Sequence, residues 1–104
     1  MVLIQLLLPI TVPNQPPSVG TAALADTRRE LTEAFSGSTA YLRSPAKGLW
    51  TAPDGEVEQD EVVMVEVVAE ALDREWWCGY AAMLATRFQQ QVIHVRALPI
   101  ELLS

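Results

Sequence analysis

The chain has 104 residues, half of them hydrophobic, with 7 basic and 13 acidic side chains and a formal charge of −6. A chain of this length buries roughly 65% of the surface its unfolded form exposes, which predicts one domain spanning residues 1–104 and needing no disulfide or metal. The apolar half excludes disorder, and an acidic chain without a basic cluster lacks the surface that neutralises nucleic-acid phosphates.

Val2 to Leu8 is apolar but for Gln5, and no basic residue precedes it. It is too short to span a bilayer and unlike a secretion signal, so it reads as a buried strand of a cytoplasmic protein with no membrane partner. Thr11 to Ser18, rich in proline, reads as a connection. Leu24, Leu31 and Phe35, with Thr27 or Arg28 between them, give a helical spacing from about Thr21 to Phe35, and Gly37 is expected to stop that helix. Thr39 to Arg43 and Gly48 to Thr51 read as one broken strand or two short ones around Ser44-Pro45-Ala46. Pro53-Asp54-Gly55 is a turn, because Pro presets φ and Gly accepts a positive one. Glu56 to Val68 follows as a long strand. From Ala69 to about Gln89 a helix is expected, with Trp77, Ala81, Leu84 and Phe88 in one stripe, and Val92 to Leu98 closes the chain as a strand.

The order β-α-β-β-α-β predicts an α+β, ferredoxin-like sandwich. In that fold two helices cover one face of a four-stranded antiparallel sheet of order 4-1-3-2. Side chains alternate along strands. Val2, Ile4, Leu6 and Leu8, then Val63, Val65 and Val67, then Ile93, Val95 and Ala97 form the helix-facing sets. Gln5, Tyr41, Arg43, Glu66, His94 and Arg96 are left together on the open face, with Gln5 expected between Glu66 and the His94/Arg96 pair.

That group is the most chemical feature of the sequence. Arg43 or Arg96 could clamp the carboxylate of a small anionic or aromatic molecule, and His94 or Glu66 could move a proton. The plainer alternative is an interface in which Glu66 and Arg96 pair so that neither charge is buried alone. Leu3, Leu7, Val62, Met64, Val68, Val92 and Leu98 make the same face too apolar to stand in water, so a homodimer is expected.

Other features read more simply. Asp54, Glu56, Glu58 and Asp60 alternate as a solvated hairpin tip rather than a calcium loop. His94 has no companion at metal-ligand spacing, so no metal and no cofactor are expected. Cys78 reads as a structural thiol. Trp76 and Trp77 read as packing residues, with a ligand-stacking role as the alternative. Gly79, inside a predicted helix, suggests close approach of a backbone or ring.

Phe35-Ser36-Gly37-Ser38-Thr39, Gly48-Leu49-Trp50, Pro53-Asp54-Gly55, Glu61 before an aliphatic strand, and Arg87-Phe88-Gln89-Gln90-Gln91-Val92-Ile93 carry a resemblance. On these motifs, residues 35–98 resemble a family of small bacterial proteins of unknown function. The resemblance implies no catalytic set. More loosely, the architecture is similar to small subunits that pair into α/β barrels, among them cofactor-free monooxygenases and lactone isomerases. Two functions follow as expectations: a dimeric protein, more binding module than enzyme, using the open face, or a small cofactor-free enzyme with His94 as general base.

Overall fold

The computed structural model describes the backbone of residues 1–35, 38–51 and 57–104 and the side chains of 1–35 and 62–104. Its elements are β1 (Val2–Pro9), α1 (Pro17–Ala34), β2 (Ser38–Thr51), β3 (Val57–Ala69), α2 (Arg74–Arg87) and β4 (His94–Pro99). The Pro53–Gly55 turn, the stop at Gly37, and the side chains of Asp54, Glu56, Glu58 and Asp60 lie outside the described residues.

The four-stranded ferredoxin-like sandwich needs correction at its second strand, most of which lies outside the sandwich. β1 pairs antiparallel with β3 from Val2↔Ala69 to Pro9↔Val62, and with β4 from Val2↔Pro99 to Leu7↔His94. These three strands, in the order β3-β1-β4, form the three-stranded antiparallel body of an α+β fold. β2 pairs along the far edge of β3, giving the hydrogen-bonded order β2-β3-β1-β4. It lies beside the body only where Ser38–Tyr41 oppose Val67–Met64. From Ala46↔Val62 to Thr51↔Val57 the β2–β3 pair runs past the end of β1 as a two-stranded arm. Between Tyr41 and Ala46 the ladder slips, five steps along β2 against two along β3. Pro45 supplies the reason, because it has no N–H to give to a ladder and belongs at edges and bulges.

Alternation decides which face of the body is covered. Ile4, Leu6 and Leu8 are fully buried, and Val63, Val65, Val67 and Ile93 nearly so. They pack under Ala23 and Leu31 of α1 and Trp77, Leu84 and Phe88 at α2. Each such aliphatic side chain contributes roughly 1.5–3 kcal/mol on leaving water. On α1 the buried stripe is Gly20, Ala23, Thr27 and Leu31 rather than one led by Leu24. Thr27 is tolerated at its centre because its hydroxyl donates to the Ala23 carbonyl at 2.8 Å.

Local signals shift the helix ends. α1 begins at Pro17 rather than near Thr21, since proline at a first helical position loses no hydrogen bond and already holds helical φ. α2 begins at Arg74, not Ala69, because Ala69 still pairs with Val2 and the Asp73 carboxylate accepts from the Trp76 N–H at 3.1 Å. Likewise β4 begins at His94, not Val92.

α2 ends with Gln89 at φ 52°, its N–H donating to Thr86 O, while the Gln90 N–H donates to Ala85 O at 2.8 Å. This double reversal normally uses glycine at the left-handed position. Gln89→Gly is therefore expected to stabilise the chain by about 1 kcal/mol, read as a higher thermal midpoint. An unchanged or lower midpoint would show that the Gln89 side chain contributes more than its backbone strain costs.

Candidate functional site

β1 is the middle strand of the body, so Gln5 faces Glu66 on one side and Arg96 on the other. The Gln5 amide donates from Nε2 to Glu66 Oε2 at 3.1 Å. One step along, His94 opposes Leu7; at the other end Leu98 opposes Leu3. Glu66 and Gln5 are half-buried with Leu3, Leu7, Val62, Met64 and Val68, whereas His94 and Arg96 are exposed. Val92 and Leu98 keep 61% and 42% of their surface in solvent. The open face is thus an aliphatic surface crossed by one polar row.

Two expected features of that row differ. Glu66 and Arg96 do not pair: with β1 between them their backbones stand about 10 Å apart. Among the described residues no ion pair joins them, and Glu66 is held by the Gln5 amide instead. Thr39, not Tyr41, is in register with Glu66, and Tyr41 is in register with Met64. Arg43 falls in the slip between Tyr41 and Ala46, and the side chains of both Tyr41 and Arg43 lie outside the described residues. The geometry therefore brings together Gln5, Glu66, Arg96 and His94, and gives a small molecule amide, carboxylate, guanidinium and imidazole groups along three adjacent strands.

A second polar cluster, on the helix side, was not anticipated. Arg87 holds Glu30 in a two-bonded fork, Nη1 to Oε1 at 2.8 Å and Nη2 to Oε2 at 2.6 Å, and Nη1 also reaches Thr27 Oγ1 at 2.9 Å. The Tyr80 hydroxyl donates to Glu30 Oε1 at 2.9 Å. The Arg87 bond holds the Glu30 carboxyl below the usual carboxylate range despite partial burial. The same bond raises Arg87 further. Burial, then the bond to Glu30, pushes the Tyr80 hydroxyl well above an ordinary phenol. Such mutual satisfaction leaves little for a ligand, so the cluster joins α1 to α2. Its signal in the sequence was spacing: Thr27 and Glu30 are three apart, and Tyr80 and Arg87 seven apart, each pair on one helical face.

Beside it the aromatic rings form a continuous packet. Phe35 stacks on Trp77 with ring centres 5.3 Å apart, and Trp76 stacks on Tyr80 at 4.9 Å. Trp76 also meets Phe35 edge-on at 5.3 Å. Both tryptophans thus secure the end of α1 to α2, although Trp76 remains partly exposed. Cys78 is exposed rather than embedded. The close approach expected at Gly79 is not found, since a Cβ there would meet nothing within 4 Å. Among the described residues no three His, Cys, Asp or Glu side chains gather as a cation site, and no helix is long and apolar enough to cross a membrane.

No family model matches the chain, and no curated protein is similar to it in sequence. Its fold is similar to that of a solved phage SAM lyase in the apo state, with a TM-score of 0.59 and 16% identity, covering 93% of this chain and 78% of that one. At that identity the likeness is one of fold.

Proposed function

We propose that the chain is a binding protein that works as a homodimer, closing its open sheet face against a second copy and recognising a small anionic or aromatic molecule, or a partner, through the polar row. The observation that carries this reading is the Gln5–Glu66 hydrogen bond set among half-buried aliphatic side chains, with Arg96 across β1. A solvated sheet face has no need of Leu3, Leu7, Val62, Met64 and Val68 together, and contiguous apolar surface of this kind marks interaction sites. Placed at the centre of a closed face, a carboxylate already bonded to an amide keeps its polarity satisfied and leaves Arg96 and His94 to recognise a ligand. The likeness of residues 35–98 to an uncharacterised bacterial family, and a cytoplasmic location, belong to the same proposal.

The test is oligomeric state. At about 10 μM the chain is expected to run as a dimer by light scattering, and Leu7→Glu, which puts a charge at the centre of the face, as a folded monomer. A monomeric parent chain, or a Leu7→Glu chain that still dimerises, would overturn the reading.

The name of the solved neighbour favours one second reading, a small enzyme acting on SAM. In it His94 serves as general base, Glu66 assists in proton transfer, and Arg96 or Arg43 holds the substrate carboxylate. Consumption of SAM that is lost in His94→Ala while the dimer persists would support it. No consumption by the parent chain would leave binding alone.

A further inference from the structure

We propose that a groove between α2 and β4, on the helix side of the sheet, binds a small aromatic carboxylate. The groove has a volume of about 260 Å³. Its walls are apolar, built from Leu72, Trp77, Ala81 and Ile93 among others, and Arg74 and Arg96 line it while no carboxylate does. An apolar cavity of about 150 Å³ is enough to hold benzene, so this one accommodates a ring with a short acidic arm.

Charge decides the occupant. The protein carries −6 overall, so its general field repels anions, and a groove lined by two arginines and no acid offsets that field locally. Neither Arg74 nor Arg96 makes an ion pair or a side-chain hydrogen bond among the described residues. A neutral ring would gain only the apolar walls, whereas a carboxylate gains a charge-assisted bond as well. The groove lies on the covered side of the sheet, where Trp77 and Ile93 sit, and meets the polar row of the open face at Arg96, which borders both.

Cys78 supplies the readout, since it lines the groove and is the chain's one cysteine. With phenylacetate as probe and the uncharged reagent iodoacetamide, saturating probe is expected to slow alkylation of Cys78 at least fivefold. Arg74→Gln should weaken phenylacetate about tenfold while leaving 2-phenylethanol unaffected. Arg74→Gln should also leave the dimer seen by light scattering unchanged, so this proposal and the dimer can fail separately. Two results would overturn it: no protection of Cys78 at millimolar phenylacetate, or equal loss of both probes in Arg74→Gln.

Discussion

Replacing Gly20 by alanine is expected to destabilise the chain by about 3 kcal/mol, while the same replacement at Gly79 is expected to stabilise it by up to about 1 kcal/mol. Both glycines lie within helices, and their surroundings set the sign. A Cβ at Gly20 would overlap the Ile10 carbonyl oxygen and sit 3.0 Å from Thr11 Cα. Those atoms are backbone, in the segment that leaves β1, so relief requires α1 to move away from the sheet and open the core beneath Ala23 and Thr27. On a domain of this size such a loss lowers the thermal midpoint by roughly 12 °C or more. At Gly79 the added methyl finds open space and only restricts the unfolded chain. Thermal unfolding of both variants checks the pair. A Gly20→Ala midpoint within a degree or two of the parent would mean that α1 is held less firmly than its buried stripe implies. A destabilised Gly79→Ala would mean that this exposed helix face is occupied by another molecule.

These two glycines also show where the sequence is readable. Alternation along β1 and β3 separates buried from open positions without error at Ile4, Leu6, Leu8, Val63, Val65 and Val67, because a period of two is dictated by the backbone alone. Gln5 between Glu66 and Arg96 is legible for the same reason once the strand neighbours are assumed. Contacts between distant segments leave no such period. Nothing around Gly20 announces that Ile10 crosses it, and Gly79, conspicuous in a helix, touches nothing. The imagined pairing of Glu66 with Arg96 fails because residue type gives attraction but not distance, and one intervening strand is enough to break it. The length of β2 is similar: its residues favour extension on both sides of Pro45, yet how far the pair outruns β1 depends on where β1 stops.

The fork between Arg87 and Glu30 sets the second large effect, and its pH dependence has a definite sign. Arg87→Met keeps the aliphatic stem that packs between the helices but removes both bonds to Glu30 and the one to Thr27. Charged hydrogen bonds contribute about 1.5–3 kcal/mol each where water is excluded. Here the two side chains retain 20% and 34% of their surface, so screening reduces the expected total loss to about 2 kcal/mol. Because the folded state holds the Glu30 carboxyl below its ordinary 4.5, the stabilisation is present above that value and is lost as pH falls through the lower folded one. Tyr80 bounds the alkaline side: its folded pKa lies above the ordinary 10, so its share is complete below 10 and is lost as pH rises beyond the folded value. Denaturant unfolding should therefore show the parent and Arg87→Met separated at pH 7 and converging as pH falls from 4.5 through the lower folded value, where Glu30 takes up its proton. A constant gap across that range would assign the loss to packing of the Arg87 stem alone. Glu30→Gln separates charge from shape, since an amide can still accept from Arg87 but cannot titrate. It should flatten the acid limb of the stability profile while leaving the Tyr80 bond a partner.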